Sequence, residues 1–341
     1  MIHFDSDYMR GGHPEVMRRL METNLEQTPG YGTDEYTMRA RKKIAEACGV
    51  SDAKVWFLVG GTQTNATVLD GLLQRHEGVL AAETAHISVH EAGAIEASGH
   101  KVLVLPQHEG KVLPQEVGQY LKDYYIDETY EHMVAPGVLY ITHPTEYGTL
   151  YTLAELEELS RLCHEYSMRL YLDGARLGYG LSAGNTDVAL KDIARLCDAF
   201  YIGGTKVGAL FGEAVVVTNP ALLHHFFPLV KQHGALFAKG RILGLQFDTL
   251  FTDGLYLKIA RHAVDMAMKL KNGFIAKGYA PYLDSPTNLQ FFNLSNEVID
   301  RLKEQASFEL WGPRGDKNSI VRFVTDWATK AEDVEKLISL L

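Results

Sequence analysis

A lysine stands alone among small residues at the end of an apolar segment. Residues 199–202 lead into Gly203-Gly204-Thr205-Lys206, and a second apolar segment, 213–217, follows. Lys206 therefore lies neither on a solvated helix face nor in a basic patch. Loss of water lowers the pKa of an ammonium group, and the free amine forms a Schiff base with an aldehyde. The pattern predicts such an amine at Lys206, with an exposed lysine at a turn as the alternative.

An aspartate ends the preceding apolar segment in the same way. Leu170-Tyr171-Leu172 leads into Asp173-Gly174-Ala175-Arg176. A carboxylate can pair with a protonated pyridine nitrogen, and with an aldehyde-binding lysine this is the arrangement that holds pyridoxal 5'-phosphate (PLP). An ordinary aspartate at a strand-end turn is the alternative. The prediction of PLP therefore rests on Asp173 and Lys206 occurring together, in this order, within an α/β pattern.

Two further segments lie at the carboxyl ends of predicted strands, where α/β sheets bind ligands. Gly60-Gly61-Thr62 follows one strand and opens a helix, whose free N–H groups attract an anion such as phosphate. A tight strand-to-helix turn is the alternative, and the segment is neither a G-x-G-x-x-G fingerprint nor a P-loop. His86 follows the next strand. It is a candidate for ring stacking or general-base catalysis, with a structural histidine as the alternative.

Two arginines are candidates for binding a substrate carboxylate. Arg176 follows Asp173 by three residues on the same loop, and a guanidinium binds a carboxylate through two parallel hydrogen bonds. Arg322 lies between Ile320 and Val324 on one face of a predicted strand. A cation there is costly unless an anion meets it. That anion is either a substrate carboxylate or an internal salt-bridge partner.

Strands and helices alternate regularly over residues 55–217, which predicts a mainly parallel sheet with crossover helices. The segment 213–217 is expected to be antiparallel, because no crossover helix fits before it. A helix is expected over Glu91–Ser98, and helical periodicity dominates from Pro220 to about Lys277. The predicted division is an N-terminal arm and helix over 1–25, a large α/β domain over 26–245 and a small α+β domain over 246–341.

Composition limits the classes of function. Of 341 residues, 46% are hydrophobic and 22% charged, which is typical of a globular protein, and the formal net charge is −10. Nucleic acid and anionic membranes require a basic face, so neither is an expected partner. Cys48, Cys163 and Cys197 form no C-x-x-C motif or Cys/His cluster, so we expect no disulfide framework and no metal site. A cytoplasmic location is expected, since no leader or membrane-length apolar segment is present.

The chain resembles the low-specificity threonine aldolases of the β-eliminating lyase family over nearly its whole length. The most specific element is Asp173-Gly174-Ala175-Arg176 joined to the later Lys206. The other matching positions are Ser6-Asp7, Tyr31-Gly32, Gly61-Thr62, Ala85-His86-Ile87, Glu91, Gly93-Ala94, Leu177 and Arg322-Phe323-Val324-Thr325. The resemblance implies the aspartate aminotransferase type of fold (PLP fold type I), with a mainly parallel seven-stranded-type sheet and a smaller α+β C-terminal domain.

The resemblance also implies roles for the matched residues. Lys206 would form the Schiff base with PLP, Asp173 would pair with its pyridinium nitrogen, and His86 would stack on its ring. Gly61 and Thr62 would hold the phosphate. The implied substrate-binding residues are Ser6, Tyr31, Arg176 and Arg322.

The chain departs from the family pattern at two places. Thr142-His143-Pro144-Thr145 stands where the family usually has Asn-Thr-His-Asn, so the histidine is one place out of register. The candidates for taking the β-hydroxyl proton are therefore His86, His143 and a bound water. Thr205 stands where many relatives have serine, and either its hydroxyl or the backbone would complete the phosphate contacts.

The activity implied by the resemblance is retro-aldol cleavage of L-threonine or L-allo-threonine to glycine and an aldehyde. The alternatives are a PLP-dependent lyase acting by β-elimination, an aminotransferase, or a non-catalytic PLP-binding module. A nucleotide-binding dehydrogenase would need the glycine fingerprint and the ribose-binding acid that this chain lacks. The expected partner is a small amino-acid substrate, and a homodimer or homotetramer with its active site at the dimer interface is implied as well.

Overall fold

The computed structural model describes residues 1–341 and contains three β-sheets with helices packed around them. The strands are β1 (Ile2–His3), β2 (Lys54–Leu58), β3 (Glu77–Ala82), β4 (Val102–Leu105), β5 (Ala135–Thr142), β6 (Arg169–Asp173), β7 (Ala199–Gly203), β8 (Glu213–Val217), β9 (Pro281–Leu283), β10 (Leu289–Ser295), β11 (Ala306–Ser307), β12 (Glu309–Leu310) and β13 (Asn318–Val324). The helices are α1 (Pro14–Glu22), α2 (Glu35–Cys48), α3 (Gly61–Leu72), α4 (His86–Val89), α5 (Ala94–Ala97), α6 (Pro114–Ile126), α7 (Leu153–Glu165), α8 (Leu177–Leu181), α9 (Leu190–Leu196), α10 (Phe226–Gln232), α11 (Arg241–Leu250), α12 (Leu255–Ala276), α13 (Asn296–Lys303) and α14 (Ala331–Ser339). None of these helices has the length and apolarity needed to span a bilayer.

The central sheet has seven strands in the order β2-β8-β7-β6-β5-β3-β4. All neighbouring pairs among β7, β6, β5, β3 and β4 are parallel, whereas β8 runs antiparallel to both β7 and β2. The predicted α/β class with a mainly parallel seven-stranded sheet is confirmed, and so is the antiparallel strand at 213–217. Its direction follows from the short connection over residues 204–212, which contains no helix.

The buried hydrophobic residues form one large core, one small core and a separate cluster of four residues, Leu283, Leu289, Phe291 and Val324. The large core lies between the central sheet and its helices, whereas the small core includes Phe274 of α12 and Phe323 of β13. Ile2 and Phe4 of the N-terminal arm belong to the small core, because β1 pairs with β11. Helix α12 also contributes Ile259 to the large core, so the two cores meet along this helix. The domain boundary at residue 245 stays a prediction.

The helix expected over Glu91–Ser98 is shorter in the structure. Only α5 (Ala94–Ala97) lies in this segment, because Ala92 (φ 51°) and Gly93 (φ 73°), between α4 and α5, adopt left-handed backbone angles that interrupt a right-handed helix. Because the chain turns at this interruption, the carboxylate of Glu91 forms a hydrogen bond with the side chain of His86, the first residue of α4.

Six strands of the central sheet end at one edge. Since β2, β3, β4, β5, β6 and β7 run in the same direction, their carboxyl ends lie at the same edge. Asp173 is the last residue of β6, and Gly61, His86, Glu146 and Lys206 follow the ends of β2, β3, β5 and β7. The topology therefore brings together residues that are up to 145 positions apart in the sequence (61 to 206).

Candidate active site

A cavity of about 170 Å³ lies at this carboxyl edge of the central sheet. It is lined by Val59, Gly60, Gly61, Thr62, His86, Thr142, Pro144, Glu146, Asp173, Ala175, Arg176, Tyr201, Thr205, Lys206 and Glu213. The structure thus brings Lys206 and Asp173 into one cavity, together with Gly61, Thr62 and His86. Among the other predicted site residues, Arg176 and Thr205 also line it. Ser6, Tyr31, His143 and Arg322 do not.

Four hydrogen bonds hold the buried carboxylate of Asp173. Its Oδ1 accepts from the hydroxyl of Tyr201 at 2.5 Å and from the backbone N–H of Ala175 at 2.9 Å. Its Oδ2 accepts from the hydroxyl of Tyr140 at 2.6 Å and from the side-chain amide of Asn65 at 3.0 Å. Burial, and then the charge of Asp173, raise the pKa of both tyrosines well above the ordinary value, so each hydroxyl stays protonated and donates.

Strand alternation places these groups on one face of the sheet. Tyr171 and Asp173 are two residues apart on β6, and in the parallel register they pair with Tyr140 and Thr142 of β5. Helix α3 covers this face and supplies Asn65, whose side-chain oxygen accepts from the hydroxyl of Tyr171 at 3.0 Å. Each polar group on this buried face therefore has a partner, as buried polar groups require.

His86 is oriented by the buried carboxylate of Glu91. The two side chains form a 2.7 Å hydrogen bond between Nδ1 and Oε1, and Asn65 donates to the same oxygen at 2.7 Å. Burial lowers the pKa of His86, but the hydrogen bond to Glu91 and the charges of Asp173 and Glu91 outweigh this effect, so the pKa is raised overall. His86 thus lines the cavity with its ring fixed and its protonated form favoured.

Lys206 lines the cavity without an ion pair or a hydrogen bond from its amine. Burial, followed by the nearby charge of Arg176, lowers its pKa, although the charges of Asp7, Asp173 and Glu213 oppose the shift. The exposed ring of Tyr8 in the N-terminal arm lies 6.0 Å from the amine. A lowered pKa increases the fraction of free amine, which is the form that attacks a carbonyl carbon.

Glu213 fixes the loop that precedes Lys206. Its Oε2 accepts from the backbone N–H of Gly204 at 3.0 Å, and its Oε1 accepts from the hydroxyl of Thr205 at 2.8 Å. Burial raises the pKa of Glu213 to about 7. The hydroxyl oxygen of Thr205 also accepts from the N–H of Gly212 at 3.0 Å. Thr205 therefore uses its one donor within the protein, and the predicted phosphate contact through this hydroxyl has to displace the bond to Glu213.

The N-terminus of α3 has the chemistry of an anion site. No side chain caps this 12-residue helix, its first turn carries no acidic residue, and the N–H groups of Gly61, Thr62 and Gln63 make no hydrogen bond within the protein. A Cβ at Gly61 would lie 3.2 Å from the hydroxyl of Tyr201, whereas a Cβ at Gly60 would meet nothing within 4 Å. Gly61 therefore keeps the space beside the free N–H groups open.

Arg176 is paired with an acid of the N-terminal arm. Its Nε and Nη2 donate to the two carboxylate oxygens of Asp7 at 2.7 and 3.1 Å, and Asn288 donates to Asp7 at 2.9 Å. Burial opposes ionisation of Asp7, but the charges of Arg176 and Lys206 and the two hydrogen-bond donors hold its pKa below the ordinary value. The predicted carboxylate-binding face of Arg176 is thus occupied by Asp7 on two of its nitrogens.

Three other predicted substrate-binding residues lie outside the cavity. Arg322 forms an internal ion pair with Glu309, which is one of the two alternatives given for it by the sequence. Its guanidinium lies 5.0 Å from the ring centroid of Trp311. Its buried Nε has no hydrogen-bond partner, so one donor stays available. Ser6 is buried in the N-terminal arm. The neighbouring Asp7, and not Ser6, is hydrogen-bonded to Arg176 of the cavity. Tyr31 is 46% exposed and lies beside Lys231.

His143 faces the interior rather than the cavity. It is fully buried, its Nδ1 accepts from the backbone N–H of Tyr151 at 3.3 Å, and burial lowers its pKa to about 4. The histidine that the sequence offered as a general base is therefore neutral and away from the site. From the same segment, Pro144 and Glu146 line the cavity in its place.

Comparison with known proteins agrees with this geometry. A family model described as "Beta-eliminating lyase" matches residues 3–297. The chain belongs to this family.

Two threonine aldolases are similar to this chain over almost the full length of both proteins. The low specificity L-threonine aldolase of Pseudomonas aeruginosa is 30% identical over 340 residues, covering 98% of this chain and 95% of that protein. The solved structure of Leishmania major threonine aldolase has a TM-score of 0.96 at 40% identity, covering 100% and 98% of the two chains. Aspartate aminotransferase from Thermus thermophilus has the same fold, with a TM-score of 0.71 at 15% identity. The match covers 100% of this chain and 90% of the aminotransferase. The expected PLP fold type I is confirmed.

Sequence reasoning missed several residues around the cavity of this lyase-family chain. Sequence patterns indicate no role for Tyr140 or Tyr201, although each lies on the strand face that also carries Asp173 or its register partner. Glu213 begins the otherwise apolar strand Glu-Ala-Val-Val-Val, which was a readable signal for a paired buried acid. Glu146 gave no comparable signal, because it lies in a loop whose path depends on the whole sheet.

Proposed function

We propose that this chain is a PLP-dependent aldehyde-lyase that cleaves L-threonine and L-allo-threonine to glycine and acetaldehyde. The observation that carries the proposal is the placement of an unpaired, desolvated lysine amine and a buried carboxylate in one cavity beside a free helix N-terminus. The names of the relatives with the greatest coverage, both from Pseudomonas, support the same reaction.

The residues of the cavity fit PLP at three separate points. The uncapped N-terminus of α3, with Gly61 and Thr62, suits a phosphate dianion. The carboxylate of Asp173 suits a pyridinium nitrogen, and the amine of Lys206 suits the aldehyde. When bound there, PLP supplies an electron sink conjugated with the α-carbon of the amino acid. Asp173 already accepts four hydrogen bonds, so a fifth donor would have to share or replace one of them, most simply that of Asn65, which keeps Glu91 as a second partner.

Each residue then has a limited task. Lys206 would hold the aldehyde carbon of the cofactor through its amine, and a free Lys206 amine would serve as a local base or acid in the cavity. His86, held by Glu91, would cover the ring. Arg322 offers its unpartnered Nε–H to the substrate carboxylate, and Arg176 adds positive charge from within the cavity. Holding the carboxylate sets the orientation of the Cα–Cβ bond, which decides the bond that breaks.

Ser6 and Tyr31 enter this proposal differently. Ser6 lies in the arm next to Asp7, which contacts Arg176 of the cavity, and we assign Ser6 to the substrate carboxylate. Tyr31 lies outside the cavity of its own chain and is partly exposed, so we assign it to the cavity of a second copy in a homodimer or homotetramer. Apolar side chains exposed on the first two helices, Met17, Met21 and Met38, support self-association. A cytoplasmic location stays a prediction.

The reaction is tested by product analysis. Purified protein is incubated with PLP and with L-threonine or L-allo-threonine, and glycine and acetaldehyde are quantified. Glycine and acetaldehyde in equal amounts are expected. 2-Oxobutanoate with ammonia would indicate elimination, and consumption of a keto acid with transfer of the amino group would indicate an aminotransferase. Light scattering of the same sample measures the mass of the assembly.

A further inference from the structure

The carboxylate of Glu146 is half satisfied in a buried position. Its Oε1 accepts two hydrogen bonds, from the backbone N–H of His86 at 3.0 Å and from the hydroxyl of Thr142 at 3.0 Å. Its Oε2 is buried and has no hydrogen-bond partner. Buried polar atoms without a partner are rare in folded proteins, and the cost of leaving one unpaired is about 1–3 kcal/mol. Oε2 of Glu146 is therefore a buried acceptor to which no group of the chain donates a hydrogen bond.

The surroundings of Glu146 indicate where that partner comes from. Glu146 lines the same cavity as Lys206 and Asp173 and belongs to the loop that leaves β5. The two donors on Oε1 come from β5 and from the start of α4, so the carboxyl group is fixed by two separate elements. Other acids at the cavity are committed: Asp173 accepts four hydrogen bonds, and both oxygens of Glu213 are occupied.

We propose that Glu146 is the catalytic residue that takes the proton of the substrate's β-hydroxyl, the role for which the sequence left His86, His143 and a bound water open. The assignment rests on the proposed aldol cleavage. His143 is buried away from the cavity. The Nδ1 of His86 is bonded to Glu91, and the raised pKa of His86 favours its protonated form, which cannot accept a proton. Among the acids that line the cavity, Glu146 alone has a carboxylate oxygen without a hydrogen-bond partner.

The proton transfer balances without an outside reagent. The hydroxyl proton moves to Oε2 of Glu146, and the O–H electron pair becomes the second C–O bond of the aldehyde. The Cα–Cβ bond breaks, and its electron pair stays with the α-carbon. One proton then returns to the α-carbon to complete glycine. One proton is taken from the substrate and one is delivered to it. Both electron pairs stay within the products, so the reaction needs no oxidant or reductant.

The electrostatic surroundings strengthen Glu146 as a base. Burial, and then the charge of Asp173, raise the pKa of Glu146, whereas its hydrogen-bond donors and a charge on His86 lower it. Arg176, Tyr140, Tyr147 and Tyr151 are the other titratable groups that sense its charge. A raised pKa makes a carboxylate a stronger base. Cleavage should therefore be lost as the pH falls through the pKa of Glu146, and this acid limb should be missing from Glu146→Gln.

The test separates hydroxyl deprotonation from every other task of the cavity. The holoenzyme forms of the wild type, Glu146→Gln and the exposed control Glu83→Gln are compared in threonine cleavage and in exchange of the α-proton of glycine with D₂O. Exchange needs the cofactor, Lys206 and the carboxylate site but no β-hydroxyl. Cofactor absorbance per chain and the equilibrium titration of that absorbance with glycine give two readouts that do not depend on turnover.

We expect Glu146→Gln to lose cleavage by at least about 10²-fold, the usual contribution of a general base, while exchange, cofactor content and glycine affinity stay within about threefold. Cleavage within threefold of wild type would overturn the assignment. A parallel loss of exchange and cofactor would overturn it too, by placing Glu146 on the cofactor. Should Glu146→Gln fail to fold, Glu146→Asp keeps the charge, shortens its reach and should show the same split. Absence of cleavage in the wild type, with exchange intact, would instead reject the proposed function.

Discussion

Asp173 and Glu146 are two buried carboxylates in one cavity with opposite surroundings. Asp173 accepts four hydrogen bonds, two on each oxygen, from three side chains and one backbone N–H. Glu146 accepts two, both on one oxygen, and the other has no partner. The first carboxylate lies at the end of a central strand, and the second lies in a loop at the edge of the same cavity.

The difference shows how a fold gives two acids two tasks. A carboxylate surrounded by donors keeps its charge and position, which suits permanent electrostatic support of a cation. One with an open oxygen and a raised pKa is suited to accepting a proton during a reaction. We therefore assign charge stabilisation to Asp173 and proton transfer to Glu146. The following predictions test that division.

The largest effect is expected from Asp173→Asn. The amide nitrogen cannot accept from Tyr140 or Tyr201 and provides no negative charge for a pyridinium nitrogen. Turnover of threonine should fall by about 10³-fold, and glycine exchange should fall with it, unlike in Glu146→Gln. Both rates are measured per bound cofactor, with the exposed Asp123→Asn as control. Loss of cleavage with normal exchange would contradict the division of tasks.

A smaller effect is expected from Tyr140→Phe. The change removes one donor from Asp173 and leaves the other three. A hydrogen bond to a charged group contributes about 1.5–3 kcal/mol, so we expect turnover to fall by a factor between about 10 and about 10², and cleavage and exchange to fall together. Tyr124→Phe, whose hydroxyl donates outside the cavity to the carbonyl of Tyr130 at 3.3 Å, is the matched control. Equal effects of the two changes would show that Asp173 does not depend on this donor.

The raised pKa of Glu213 can be tested through the pH dependence of protein stability, without measuring catalysis. Its pKa is raised from 4.5 to about 7 in the folded protein, so between these values the folded chain holds a proton that the unfolded chain has lost. Stability of the cofactor-free protein should fall as the pH rises through this window, by on the order of 3 kcal/mol relative to Glu213→Gln. Urea unfolding of both proteins at about pH 5 and pH 8 measures the difference. A parallel pH dependence of the two would mean that Glu213 is ionised throughout.

The smallest effect on the reaction is expected from His143→Asn. The histidine lies outside the cavity, and the side-chain oxygen of asparagine can accept from the N–H of Tyr151 as Nδ1 does. Cleavage per bound cofactor should change by less than about threefold, well below the contribution of a general base. A loss of 10²-fold or more with normal glycine exchange would return the proton-transfer role to His143.

The sequence allowed the frame of the site to be predicted better than its details. Lys206 and Asp173 end apolar strands, and strand periodicity with the topology of α/β sheets was enough to place both at one edge. The partners of Asp173 depend on the register between β5, β6 and β7 and on the position of α3, which are long-range properties. His143 and Glu146 are three residues apart in one loop, and nothing local decides which of them faces the cavity.

The central claim is that Lys206 is the amine that binds the cofactor. The holoenzyme is reduced with borohydride, digested, and the peptide carrying the pyridoxyl group is identified by mass spectrometry. We expect a single label on Lys206 in the wild type and none in Lys206→Ala, with the variant still folded by circular dichroism. A label on any other lysine, or an unchanged cofactor absorbance in Lys206→Ala, would contradict it.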